Sequence, residues 1–436
     1  MNRDPSPGGA PAVGTLHIVG AGLAGLAAAV RASTRHSRII LHEAANHAGG
    51  RCRSYLDREL GVRIDNGNHL MLTANRAALD YLRETGALET MLVPAEPAFP
   101  FFDRRSGERW TLRPNRGRLP WWVLFPERRV PGTRLADYLH PFKLARLDAK
   151  ATVQQAFERT NLLYQRLWLP FAVAALNTEP EHASARLLWN VIQESFVQGG
   201  EALLPMVPRE GLSESLVDPA LATLALRGVV VRFNARLRHI EAAGERITAL
   251  DFTDGRVTVE PDDQVILALP AQIAGDLGLD IATPDEFRAI VNGHFLFEHQ
   301  MAPPGILGVI GGLAEWIFVK PQVISTTTSA ADRVVDWGAE ELAHELWGDV
   351  QMALGLQGIA MPNWRIVKEK RATFAATPEA ERRRSGTLTR WRNLFLAGDW
   401  TCIGLPSTIE GAIRSGQRAA SVIAGRRETD NLYETT

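Results

Sequence analysis

With 436 residues, 45% of them apolar and 22% charged, the chain can bury a large core in two or three domains and is too hydrophobic to be a disordered polymer. A formal net charge of −1 gives nucleic acid no overall attraction, and nothing else in the chain points to that partner. Only two cysteines, Cys52 and Cys402, exclude a disulfide scaffold and fit a reducing cytoplasm.

Residues 1–14 lack the apolar core of a signal peptide and read as a disordered lead-in. The first predicted element is a buried strand over 16–19, followed by the glycine-rich turn Gly20, Ala21, Gly22, Leu23, Ala24, Gly25. Gly20 and Gly22 let the backbone turn tightly and approach a pyrophosphate held at a helix N-terminus, and Gly25 lets the Ala-rich helix over 26–32 pack close to the sheet. A second strand over 38–42 ends in Glu43, whose carboxylate is placed for the ribose hydroxyls of an adenosine. Strand, helix, second strand and terminal acid together read as a dinucleotide-binding βαβ unit.

Residues 76–204 read as helix-rich, with apolar periodicity over 77–88 and 153–169. Inside this stretch, residues 104–150 hold twelve basic residues against four acidic ones, interleaved with Trp110, Trp121, Trp122, Phe125 and Phe142. Cations among tryptophans suit an anionic lipid surface, while a solvated charged face over an ordinary core is the equal alternative. A return to the first domain is predicted over 205–270, with a helical stretch to Arg227 and strands at 229–233, 237–240, 246–252, 256–260 and 265–270. Residues 271–357 mix strands and helices, and the apolar run 306–319 is too short, and too interrupted by glycines and Glu315, to span a bilayer. Last come a strand ending in Gly398 and Asp399, a helix opening at Thr408, Ile409, Glu410 and Gly411, and a solvated tail over 426–436.

Gly49, Gly50 and Arg51 after the second strand, together with Gly398 and Asp399, resemble the FAD motifs of the amine oxidase and phytoene desaturase superfamily. That resemblance implies FAD as cofactor, Asp399 near the ribityl chain and pyrophosphate, the helix from Thr408 beneath the flavin pyrimidine, and backbone of a strand near Leu237 on the adenine. The expected fold is α/β, a Rossmann-like FAD domain built from 15–75, 205–270 and 358–425, with an inserted α+β substrate domain from 76–204 and 271–357 and tails at 1–14 and 426–436.

The likeness narrows further. Arg51 to Ser54 leading to Ile64, Asp65, Asn66, Gly67, Asn68 and His69, then 168–170 with 176–178, then 398–401 with 407–416, are similar to the squalene-associated FAD-dependent desaturases, the hydroxysqualene dehydroxylase family. The resemblance runs from residue 16 to 425. It implies reduction of hydroxysqualene to squalene by reduced FAD in a bacterial route towards hopanoids, with functional coupling to the upstream enzymes. The cysteine usage and the basic, aromatic segment add the expectation of a cytoplasmic location with peripheral contact at the inner face of the membrane. The allylic hydroxyl, once protonated, leaves as water, and the delocalised cation accepts a hydride, so the site needs an acid, an apolar tunnel and exclusion of water. Candidate acids are His69 and Asp65. Lys320 joins them because some amine oxidases of the superfamily hold a flavin-bound water with lysine. Each has a plainer reading as well: a turn at Asp65 to Gly67, a satisfied structural histidine, a surface lysine, and a capping role for Glu410.

Competing readings are a carotenoid desaturase or a flavin amine oxidase. The latter is short of its aromatic walls, since no tyrosine occurs between Tyr164 and Tyr433 and only Trp391 or Trp400 could substitute. A non-catalytic prenyl-lipid carrier of the same fold is a third reading, opposed by the intact glycine turn, Glu43 and Gly398-Asp399. Cys52 and Cys402 read as small buried thiols, and no metal site is expected.

Overall fold

A computed structural model describes residues 14–36 and 38–425 of the chain. The predicted tails 1–14 and 426–436 therefore lie outside the described residues, apart from Gly14. Leu16–Val19 is buried at every position, as a strand covered on both faces must be. It lies at the middle of a five-stranded parallel sheet in the order Val230–Arg232, Ile39–His42, Leu16–Val19, Gln264–Leu267, Leu394–Leu396. Three distant parts of the sequence are thus hydrogen-bonded side by side.

The helix Leu23–Ala32 follows the glycine turn, and the helix Ile409–Ile423 packs on it. Small residues allow that approach. A β-carbon on Gly25 would stand 1.8 Å from the Gly20 carbonyl oxygen, and one on Gly416 2.0 Å from that of Ala24. A three-stranded antiparallel sheet of Leu237–Ala243, Arg246–Phe252 and Gly255–Thr258 stands beside the parallel sheet, where Phe252 stacks on His42 with ring centroids 4.4 Å apart.

The second large unit is a seven-stranded sheet in the order Trp364–Phe374, Phe287–Leu296, Val323–Thr328, Trp316–Val319, Ile306–Ile310, Phe99–Asp103, Arg109–Leu112. One face packs Val291, Phe295, Ile317 and Ile324 against the helix Ala339–Leu354. The other contributes Phe101, Trp110, Ile306 and Phe318 to a larger core shared with Tyr164, Leu167 and Trp168. All five residues of Ile306–Ile310 are buried, as a strand covered on both faces requires.

Three expectations are corrected here. The helix-rich segment 76–204 also supplies two strands, Phe99–Asp103 and Arg109–Leu112, to the seven-stranded sheet. The segment 358–425, expected with the cofactor domain throughout, gives Trp364–Phe374 to that same sheet, paired with Phe287–Leu296. Its run of charged residues suits an edge strand that has one neighbour and wide solvent access. The periodic stretch 153–169 is not one helix but a 3₁₀ turn, Val153–Ala156, and a π-helical turn, Tyr164–Trp168, ahead of the helix Leu169–Leu176. Pro170 has no N–H, so it sits where a helix begins, and the Asn161 side chain accepts the Tyr164 N–H at 3.0 Å.

The two helices give a direct test of why glycine occupies these positions. Gly416→Ala should lower the unfolding free energy by about 1–3 kcal/mol, because backbone must move to admit the methyl group. Gly22→Ala, whose β-carbon meets nothing within 4 Å, should stay within about 0.5 kcal/mol of the parent when both cofactor-free proteins are titrated with denaturant. Equal losses in the two variants would contradict the packing assignment.

Candidate active site

The glycine turn opens at the N-terminus of Leu23–Ala32, whose N-cap Gly22 has no side chain to satisfy the first amides. Gly20 is required by conformation (φ +106°) and by closeness, since its β-carbon would stand 2.5 Å from the Ala268 carbonyl oxygen. Gly22 differs, because neither its φ of −72° nor any neighbour within 4 Å demands glycine. What its missing side chain leaves free is the space above the turn, facing Gly49 and Gly50. That is where a pyrophosphate would need close backbone approach.

Glu43 accepts the Ala21 N–H at 2.7 Å and the Ala45 N–H at 2.8 Å, which fixes its carboxylate beside the turn. Backbone bonds from Asn234 to Ala45 and from Ala235 to Glu43 bring the chain just before Leu237 alongside the acid. Leu237 itself is buried and pairs with Phe252 at the start of the antiparallel sheet.

Both oxygens of Asp399 accept from Arg51 Nη2 at 2.7 Å, joining residues 348 positions apart in the chain. The Ser407 hydroxyl also donates to Asp399. Burial would push the Asp399 carboxyl up, but the Arg51 guanidinium and the Ser407 hydroxyl outweigh it and hold the group below its ordinary range. Gly398 has φ +146°, and its amide donates to Ser415 Oγ at 2.8 Å, which ties the strand end to the helix Ile409–Ile423. That helix is capped by Thr408, whose Oγ1 accepts the Gly411 N–H at 3.0 Å. Glu410 accepts the amides of Ala77 and Ala78 at 3.1 and 2.9 Å, so it caps the neighbouring helix Arg76–Glu84.

The three candidate acids lie together. Asp65, 6% exposed, accepts from Lys320 Nζ at 2.8 Å, from Ser54 Oγ at 2.6 Å and from the Leu212 N–H at 2.9 Å. Lys320 Nζ also donates to the Glu210 carbonyl at 2.7 Å. Burial would raise Asp65, yet the ammonium and hydroxyl prevail and its pKa is lowered, leaving a carboxylate with no proton to give. His69 is half-buried, and its ring makes no hydrogen bond among the described residues. Burial lowers its pKa below the usual 6.5, opposed by the Asp65 charge and reinforced by that of Arg51, so at neutral pH the ring is neutral.

Sequence reasoning did not single out what holds His69 in place. The Asn68 side chain donates to the Thr326 carbonyl and Thr327 Oγ1 at 3.3 and 3.2 Å, and Thr327 Oγ1 donates to Asn292 at 2.9 Å. Asn68 stood inside a quoted motif, whereas Asn292 and Thr327 carry no sequence signal apart from polar residues in β-rich runs. A line of cross-strand partners then runs from Asn292 and Thr327 through Trp316 and Gly308 to Phe101 and Trp110. This inner face is polar beside His69 and aromatic further on. His294, on the same face and 1% exposed, has Nδ1 2.8 Å from Ser325 Oγ, and burial pushes its pKa down to about 4.

Both indoles considered as aromatic walls lie inside the protein. Trp400 is fully buried with Nε1 on the Leu269 carbonyl at 2.8 Å, and Trp391 is buried with the Arg390 guanidinium 4.4 Å from its ring centre. Cys52 is buried and its thiol is pushed up by desolvation, but Cys402 is exposed, contrary to expectation. No group of three or more metal-ligating side chains occurs among the described residues.

Residues 23–424 match the family of flavin-containing amine oxidoreductases. The wild-type putrescine oxidase structure with putrescine bound superposes with a TM-score of 0.67 at 15% identity, over 95% of this chain and 99% of that one, which speaks for the fold alone. Within that flavin-dependent oxidoreductase class, a hydroxysqualene dehydroxylase from Rhodopseudomonas palustris is 45% identical over 94% of this chain and 99% of its own length. One from Sinorhizobium fredii is 45% identical over 95% and 99%. The chain belongs to the hydroxysqualene dehydroxylase family of flavin enzymes.

The buried ion pair between Asp65 and Lys320 yields a prediction. Lys320→Met leaves the Asp65 carboxylate buried with its ammonium gone, at an expected cost of about 3–5 kcal/mol in unfolding free energy. In the parent, the depressed carboxyl contributes stability that is present above the ordinary carboxylate range and lost as pH falls through the lowered value. In Lys320→Met burial is unopposed by the ammonium, so acid unfolding should begin at higher pH. Superimposable pH-stability curves would refute the pair's contribution.

Proposed function

We propose that the chain binds FAD and, with the cofactor reduced, converts hydroxysqualene to squalene. The adenine dinucleotide form is favoured over a mononucleotide because a mononucleotide would leave the glycine turn and Glu43 unused. In this reading Gly20, Gly22, Leu23, Ala24 and Gly25 receive the pyrophosphate and Glu43 the adenosine ribose, with adenine beside the Leu237 strand. Gly49, Gly50, Arg51, Gly398 and Asp399 follow the ribityl chain, and the amides at Thr408, Ile409 and Gly411 face the pyrimidine, where a helix N-terminus favours negative charge. The domain division is taken as 15–75, 205–270 and 358–425 for the cofactor and 76–204 and 271–357 for the substrate, with the strand Trp364–Phe374 moved to the substrate side.

The bound cofactor, when reduced, supplies two electrons as a hydride. The chain's own residues manage the rest. A carbon–oxygen bond breaks, the hydroxyl departs as water with one added proton, and a carbon–hydrogen bond forms at the same carbon. We assign His69 as the proton donor. Burial lowers the ring's pKa and Asp65, fixed as a carboxylate by Lys320, partly offsets that, so the minor protonated form is the donor, and Asn68 anchors the loop that carries it. Phe101, Trp110, Phe318 and Ile306 offer the long hydrocarbon an apolar wall that keeps water from the cation.

The observation that carries this reading is the junction of a free, half-buried imidazole with a sheet face that turns from polar to aromatic. A substrate with one hydroxyl on a hydrocarbon chain matches that gradient, and the name borne by the relatives supports the substrate. Loading of so apolar a molecule fits peripheral contact with an anionic membrane through residues 104–150. No helix among the described residues is long and apolar enough to cross a membrane.

The test is anaerobic incubation of reduced protein with hydroxysqualene, expected to yield squalene as the flavin reoxidises. Because a donor acts only when protonated, the rate should fall as pH rises through the lowered imidazole pKa. His69→Ala should keep its flavin absorbance, lose about 10²–10⁴-fold in rate and lose that pH limb. Flavin reoxidation without squalene, or an unchanged pH profile in the variant, would overturn the assignment.

A further inference from the structure

The basic, tryptophan-rich segment does not fold as one surface. Arg104 turns to Asp349 at 3.1 Å, and Arg109 lies over Phe102 and bonds the Met352 carbonyl, so the first part of the segment belongs to the sheet edge and the helix Ala339–Leu354. The remainder forms two short 3₁₀ helices, Trp121–Leu124 and Leu135–Arg146, that pack on each other through Trp122 and Tyr138, ring centroids 5.4 Å apart.

Apolar side chains of these helices point to solvent. Leu119, Leu124 and Leu139 are 79%, 60% and 65% exposed, and Trp121, Phe125, Leu135 and Phe142 are exposed with them. A folded chain gains nothing by leaving seven large apolar groups in water within so short a segment, and a concentration of this kind marks an interaction surface. Its surroundings are cationic, with Arg116, Arg118, Arg134, Lys143 and Arg146 exposed against one exposed acid, Glu127, while Asp137 is buried and paired with Arg134 at 3.3 Å. Arg128 stacks on Trp121, its guanidinium carbon 5.0 Å from the ring centre. Leucines and aromatics that project from a ring of arginines suit a bilayer, because the apolar groups enter the acyl region while the cations meet anionic headgroups. A protein partner would need a complementary apolar surface. A bilayer offers one of any shape.

We infer that residues 116–146 form a surface that inserts into one leaflet of an anionic membrane, and that the apolar substrate enters the protein there. The entry step rests on the isoprenoid reading above; the insertion does not. Beneath the exposed residues, Trp122 and Leu144 belong to the same buried core as Phe101, Trp110 and Trp168, so the surface backs onto the proposed apolar wall.

The flavin-loaded protein is mixed with vesicles of phosphatidylcholine alone or with phosphatidylglycerol, and binding is read by flotation. Binding is expected to the phosphatidylglycerol vesicles and to weaken with salt. A Leu124→Asp, Leu139→Asp double variant alters only exposed positions and should keep its flavin spectrum. It should bind the same vesicles about tenfold less or weaker still. Its turnover of hydroxysqualene should match the parent in detergent and fall when substrate is confined to vesicles.

Failure of the parent to bind, or equal binding by the double variant, overturns the insertion surface. A parent dimer that the double variant dissolves, with no vesicle binding, assigns the face to a second copy of the chain instead. Vesicle binding without turnover in either medium leaves the surface standing and sinks the substrate reading. Equal turnover of vesicle-held substrate by both proteins overturns the entry route.

Discussion

The contact on which this architecture depends is the ion pair between Arg51 and Asp399. Neither side chain has local reason to be where it is. Arg51 follows the second strand of the βαβ unit, and Asp399 follows the last strand of the sheet, near the opposite end of the chain. A carboxylate buried here without its guanidinium would face a desolvation cost of several kcal/mol, so the fold is most stable only when both ends of the sequence have been brought together. The pair also brings the Gly49-Gly50 turn close to the strand end at Gly398. The parallel sheet makes that approach possible, because its strands all end at the same edge, where ligands of open α/β sheets bind.

A second long-range pair, Asp65 with Lys320, likewise joins distant parts of the chain. It fixes the chain leading to His69 against the residue that follows a strand of the seven-stranded sheet. The arrangement leaves the imidazole as the one of the three clustered candidates not committed to an internal hydrogen bond. Buried ion pairs hold the scaffold here, and the His69 ring stays outside their hydrogen bonds.

Much of the cofactor side was legible because its signals are local. A buried strand, glycines at fixed offsets and an acid after the next strand are all demanded by short-range geometry, and Gly20 and Gly25 stand where the turn and the helix packing require them, with Glu43 beside the turn on the Ala21 and Ala45 amides. The seven-stranded sheet was less legible. Phe99–Asp103 contains Pro100 and lies next to a basic run, and Trp364–Phe374 carries five charged residues, so neither resembles an interior strand until its partners are known. The pairing of Asp65 with Lys320 spans 255 residues and had no sequence signature at all. Composition did flag the basic aromatic segment, but only the folded chain divides its sheet-edge arginines from those around the exposed leucines.

The central claim is that the two termini of the folded region build one cofactor site through Arg51 and Asp399. It is tested most directly by a double-mutant cycle of Arg51→Met and Asp399→Asn, read as the FAD dissociation constant of each apoprotein. The account predicts that each single change weakens binding and that the double variant is little worse than either, a coupling of about 1–3 kcal/mol. Losses that simply add, or FAD affinity that none of the changes disturbs, would contradict it.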